Sequence, residues 1–190
     1  MPRFYISINK ITGKKALPDF SPITSIGDSG LQNAFYNCTG LTGSISFPSL
    51  TSIGHSGLAY AFSCCSGITG ISFPKLTSIG YSGLQSAFSD CSGLTGSVSF
   101  PSLTTIGEYG LATAFRDCSG LTGSVSFPSL TTIGEFGLIS AFDGCTGITE
   151  VHFRRSLSGN YQCTSSYMGC MNATVYFDLR KAIGENNREN

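Results

Sequence analysis

The residues of this chain best suited to chemistry are its eight cysteines and two histidines, and most of the cysteines fall on a fixed beat. Cys38, Cys65, Cys91, Cys118 and Cys145 each stand three residues after the Phe of an Ala-Phe pair (Ala34-Phe35, Ala61-Phe62, Ala87-Phe88, Ala114-Phe115, Ala141-Phe142), with steps of 27, 26, 27 and 27 residues. Side chains in one slot of successive stacked coils run parallel, which keeps their Cβ atoms too far apart for an unstrained disulfide. A buried reduced Cys packs as a small hydrophobe, so a column of core thiols is expected. Cys64 falls on the outer side, where other copies carry Asn37, Asp90, Asp117 and Gly144. It reads either as an incidental surface thiol or as a point of intermolecular bonding. Cys163 and Cys170 can pair with each other, and nothing in their spacing requires it.

Other reactive constellations are missing. Cys64-Cys65 is no chelating pair, Cys163 and Cys170 are seven apart, and His55 and His152 lie in different copies, so no zinc site is expected. The acids do not cluster as a calcium loop requires. Ser is abundant, but no nucleophile elbow or triad order can be read around either His. Glu108 and Glu135 match in successive copies and read as solvation before they read as a catalytic pair. The glycines recur at constant phase and form no phosphate loop. No catalytic residue, metal or cofactor is expected.

The beat itself defines the elements. Pro22, Pro48, Pro74, Pro101 and Pro128 keep the same rhythm as Ala-Phe, so five copies of one unit run through the chain. In the second copy Leu58, Ala61, Phe62 and Cys65 stand at i, i+3, i+4 and i+7, the stripe of a helix of about two turns. Ile71 and Phe73 then alternate with Ser72, as a half-buried strand requires, and Pro74 ends it. Leu76-Thr77-Ser78-Ile79-Gly80 returns the chain toward the next copy. A single coil cannot bury its apolar stripe, whereas stacked coils can. The expectation is an α/β solenoid of five 26–27-residue coils, each a short helix plus a parallel strand. Residues 1–21 form an N-terminal cap with Phe4-Tyr5-Ile6-Ser7-Ile8 as its strand, and residues 22–153 form the solenoid. Residues 154–179 form a degenerate C-terminal capping coil, with Tyr167-Met168-Gly169-Cys170 as a decayed Phe-x-x-Cys, and 180–190 form a polar tail.

The unit running from Leu50-Thr51-Ser52-Ile53-Gly54 through Ala61-Phe62, Cys65 and Ile68-Thr69 to Phe73-Pro74 resembles the BspA-type leucine-rich repeat. The resemblance covers roughly residues 22–153. It implies a non-catalytic adhesion or recognition protein of bacterial surfaces, or of viruses that infect bacteria.

Composition agrees with a binding role and narrows the partner. Only 12% of residues are charged and the formal net charge is zero, so the basic footprint of a nucleic-acid binder is missing. Residues 21–153 nonetheless carry two basic groups against seven acids, between two mildly basic ends, which fits either plain solvation or a weakly cationic partner. No apolar stretch approaches the ~20 residues that span a bilayer, and Met1–Lys10 lacks the apolar core of a signal peptide. An extracellular or cell-surface location after removal of a leader, or a place in a virion, is expected.

Within a repeat, positions that vary between copies are free to recognise something. The strand side shows a uniform row, Ser46, Ser72, Ser99 and Ser126, broken only by His152. The outer helix side varies, and Tyr36, His55, Tyr60, Tyr81, Glu108, Tyr109, Arg116, Glu135, Phe136 and Asp143 are its candidate partner-binding residues. Aromatic and Arg side chains are the usual anchors of interfaces. The leading expectation is recognition of a protein or glycan. A structural role follows it, with copies or shell proteins joined through the solenoid ends. Binding of ice or crystal faces through the row Thr42, Thr69, Thr95, Thr122 and Thr149 is the third reading, weakened because that row lies near Gly turns.

Overall fold

The computed structural model describes residues 15–16, 18–157 and 160–177. The capping strand expected at residues 4–8 and the tail expected at 180–190 lie outside them. The chain winds as a parallel solenoid of about six turns. One face is built of β1 (Lys15–Ala16), β3 (Leu41–Ser46), β5 (Ile68–Ser72), β7 (Gly96–Ser99), β9 (Leu121–Phe127), β11 (Gly147–Phe153) and β12 (Thr174–Tyr176). These pair in parallel as two ladders, β1-β3-β5 and β7-β9-β11-β12. A second face stacks the two-residue strands β2 (Ser25–Ile26), β4 (Ser52–Ile53), β6 (Ser78–Ile79), β8 (Thr105–Ile106) and β10 (Thr132–Ile133) without interruption. Beside this second face Thr51, Thr77, Thr104 and Thr131 each donate a hydroxyl to the carbonyl of the preceding copy's Thr, at 2.9–3.0 Å.

Two columns of phenylalanine fill the core. Phe35, Phe62, Phe88, Phe115 and Phe142 stack with centroids 4.9–5.6 Å apart and planes within 8°. Phe47, Phe73, Phe100, Phe127, Phe153 and Phe177 stack in a second column, 5.3–6.0 Å apart. Phe20 closes the N-terminal side of both, flat on Phe47 at 4.5 Å and edge-on to Phe35 at 5.9 Å. Each coil alone would leave these rings half wet; the stack removes both faces of each from water.

The third side differs from the helix expected there. Among the described residues the single α-helix is α1 (Ser165–Met168), in the last coil. The segments with the i, i+3, i+4, i+7 stripe are instead ribbons of successive tight turns. In the second copy the N–H groups of Gly57, Ala59, Ala61, Ser63 and Cys65 bond three residues back, at 3.0–3.3 Å. The intervening N–H groups of Ser56, Leu58, Tyr60, Phe62 and Cys64 bond to the next coil, to Tyr81, Gly83, Gln85, Ala87 and Ser89, at 2.8–2.9 Å. Every fourth residue is left-handed: Ser56, Tyr60 and Cys64 have φ of 51°, 57° and 62°. Over two turns a repeat of four and a helical repeat of 3.6 place the same residues inward. Leu58, Ala61, Phe62 and Cys65 are all fully buried, so the stripe was the right core and the wrong backbone.

The strand face explains why coil length varies. Three copies read Leu-Thr-Gly-Ser before the strand's apolar residue, and their glycines, Gly43, Gly96 and Gly123, have φ of 99°, 75° and 80°. The second and fifth copies are one residue shorter here, and Gly70 and Glu150 pair with the serines that follow the glycine, Ser44 and Ser124. The ladder shifts register at these junctions, as a bulge does. Only the longer copies need a left-handed residue, so the shorter ones can carry Glu. Gly43→Ala, with open space around the added methyl group, is expected to cost about 1–2 kcal/mol from backbone strain alone. Gly70→Ala meets only the Ser44 side chain, whose hydroxyl can rotate, and should cost less than about 0.5 kcal/mol when both variants are compared by urea titration.

Candidate binding surface

The thiol column is present and unbridged. All eight cysteines are free. Cys65, Cys91, Cys118 and Cys145 donate Sγ–H to the carbonyls of Phe35, Phe62, Phe88 and Phe115 in the preceding copy, at 2.9–3.0 Å. The same carbonyls accept the N–H of Cys38, Cys65, Cys91 and Cys118, at 3.1–3.2 Å. Each thiol therefore satisfies the second lone pair of a buried backbone oxygen. Burial pushes the Cys65 and Cys91 thiols up to about 12, far from a reactive thiolate at neutral pH. Cys163 and Cys170 are buried and unbridged. Cys64 is partly exposed, beside the Ser63 hydroxyl at 3.6 Å.

His152 stands in the row of serines on the strand face but is itself buried. Its ring lies flat against Tyr176 at 5.0 Å, and its Nε2 meets Glu150 Oε2 at 2.9 Å. His55 lies three copies away, against Tyr81, so the two histidines share no site. Among the described residues no three of His, Cys, Asp and Glu converge as a metal site, and no helix is long and apolar enough to cross a membrane.

The turn ribbon side carries the candidate binding residues, and the structure draws several of them into one seam. The His55 and Tyr81 rings lie 4.9 Å apart, Tyr81 meets the Tyr109 edge at 6.0 Å, and Tyr109 stacks on Phe136 at 5.0 Å. The seam changes row as it runs. His55 and Tyr81 precede the first left-handed position of their coils, whereas Tyr109 and Phe136 occupy it, at φ of 53° and 55°. Ser29, Ser56 and Ser82 hold that position in the other copies. Where the aromatics shift, Glu108 and Glu135 take the vacated row and remain exposed. Arg116, on the same ribbon, lies 3.3 Å from Asp117 and 3.8 Å from Asp143 of the next copy. Tyr36 and Tyr60 are exposed but pack on no other described ring, so they stand outside the seam.

The final coil extends the aromatic surface in a way the sequence reading missed. Tyr167 does not replace the core Phe. Met168 accepts the Phe142 N–H through its carbonyl at 2.8 Å, as the Ala of earlier copies does, and its side chain is fully buried. Tyr167 instead lies half-buried, its hydroxyl covered and its ring edge-on to the exposed Tyr161 ring at 5.4 Å. Burial raises its phenol pKa, and nearby Tyr161, Glu135 and Tyr109 raise it further. The extra helical turn in α1, capped by the Thr164 hydroxyl on the Tyr167 N–H at 3.2 Å, moved the register by one. No repeat-based alignment carries that signal.

Parallel strands, one phenylalanine layer per coil and a wall of turns define a repeat solenoid of the leucine-rich type. The comparisons agree. The BspA type leucine rich repeat region matches this sequence in six copies, over residues 17–134 and 111–177, and the chain belongs to that family. Members are generally non-catalytic, protein-binding or surface modules. A leucine rich repeat protein of T. pallidum is 25% identical with a TM-score of 0.53, the match covering 86% of this chain and 68% of that one. A leucine-rich repeat protein of Bacteroides ovatus gives the same TM-score at 21% identity, covering 87% of this chain and 42% of its own, longer chain. No curated protein matches significantly.

Proposed function

We propose that this chain is a recognition module that binds a protein or glycan on a cell surface through its turn ribbon face. The supporting observation is the continuous seam from His55 through Tyr81 and Tyr109 to Phe136. Two of its rings, Tyr109 and Phe136, stand at left-handed positions where the other copies carry Ser. The strand face, by contrast, offers short hydroxyls and one buried His.

Labelled protein is expected to attach to cells of a bacterial and mammalian panel. Pretreating the cells with protease or with glycosidases separates a protein from a glycan target. The triple variant Tyr81→Ala, Tyr109→Ser, Phe136→Ser should bind at least tenfold more weakly while keeping its circular dichroism. Serine is the residue other coils carry at the last two sites. Undiminished attachment by this variant removes the seam from consideration.

A further inference from the structure

We infer that the seam takes an extended, arginine-rich peptide segment, a reading that rests on the recognition role proposed above and gives its partner a chemistry. Six exposed carboxylates lie on the turn ribbon side between residues 28 and 143, and the one Arg or Lys among them, Arg116, is already held by Asp117 and Asp143. Asp28 accepts the His55 backbone N–H at 2.8 Å and Asp90 accepts the Ser89 hydroxyl at 2.9 Å. The carboxylates of Glu108 and Glu135 have neither an ion pair nor a hydrogen bond among the described residues, and each residue immediately precedes a seam ring, Tyr109 or Phe136. Aromatic surface beside an unpaired carboxylate is the combination a guanidinium satisfies at once, its plane against a ring and its fork on the acid. An ammonium can answer the charge but not the plane.

Geometry sets the reach. Tyr109 and Phe136 lie only 19° from parallel, whereas Tyr81 stands at 70° to Tyr109 and remains exposed, so the seam is not one continuous stack. A flat, narrow guanidinium can lie against such an exposed ring. From His55 to Phe136 the seam crosses three coil steps, roughly 14 Å. Three alternate side chains of an extended strand span the same length, so the segment reads as Arg-x-Arg-x-Arg.

Calorimetric titration of the full chain with a peptide of four Arg-Ser repeats tests this. Saturable binding is expected, weakening about threefold from 50 to 200 mM NaCl, with Lys-Ser repeats at least fivefold weaker and Glu-Ser repeats silent. Tyr109→Ser with Phe136→Ser should cost about tenfold, and Glu108→Gln with Glu135→Gln a similar factor together with the salt dependence. Equal affinity for the Arg and Lys peptides, no binding, or binding indifferent to both double variants overturns the inference. Cell attachment through the seam that the Arg peptide cannot compete leaves the recognition role standing and removes this partner. Seam-dependent peptide binding by a protein that attaches to no cell does the reverse.

Discussion

Phe115→Ala should lower the stability of the chain by about 4 kcal/mol, as loss of a fully enclosed aromatic side chain does. The ring is fully buried, with Phe88 on one face at 5.4 Å, Phe142 on the other at 5.3 Å, and Phe100 tilted across it at 6.4 Å. Its neighbours cannot collapse into the void, because each is fixed by its own ladder of cross-coil bonds. In a stack where coils touch only their neighbours, a weak rung also uncouples what lies on either side. Urea denaturation should therefore show a broadened or split transition along with the lower midpoint. Phe136→Ala, the same truncation at a partly buried ring of the seam, should cost less, about 1 kcal/mol. Near-equal losses for the two would contradict the stacked core.

Alkaline pH should unfold the protein between roughly pH 10 and 11. Burial raises Cys65, Cys91 and Cys163 to about 12 and Cys170 to about 11, against an ordinary value of 9.0. Below pH 9 both folded and unfolded forms keep these protons. Above it the unfolded chain releases them while the folded chain holds them, so the unfolded state binds fewer protons and stability falls with rising pH. The loss continues until the folded values are passed. Each thiol contributes about 1.4 kcal/mol per pH unit, so the four together reach about 5 kcal/mol near pH 10, the lower end of ordinary domain stability. Circular dichroism under reducing, oxygen-free conditions follows the transition. At pH 8 iodoacetamide should modify partly exposed Cys64 first and reach the buried thiols only on unfolding. A folded spectrum at pH 12 would show that the thiols are not sealed as described.

Most of the architecture was legible because it is periodic. Ala-Phe-x-x-Cys and the strand residues before each Pro named the core correctly, since inward positions are fixed by what must be buried. The backbone joining them was less legible. Leu58, Ala61, Phe62 and Cys65 suit a helix and a ribbon of turns equally, and the telling signal was a polar or small residue every fourth place, as in Ser29, Asn33 and Asn37. Tyr60, Tyr109 and Phe136 hide that signal by standing where Asn, Asp or Gly would be easiest. The variable residues of the outer side were named one coil at a time. Their joining into a seam depends on Tyr81 reaching from one row to Tyr109 in the next, which is a matter of side-chain direction. The absence of Tyr167 from the core Phe position follows from the one-residue register change in α1, where the repeat itself lapses.

The cross-coil bonding of the turn ribbons bears on ancestry. Ser29 to His55, Ser56 to Tyr81, Ser82 to Glu108 and Tyr109 to Glu135 are one junction written four times, at 2.7–3.0 Å, with the same donor and acceptor roles. A segment of 26 or 27 residues can thus be duplicated or excised between any two such junctions and its flanks will still mate. Rod length in this lineage is free to change by whole units through recombination, leaving point substitution to tune what the outer rims meet.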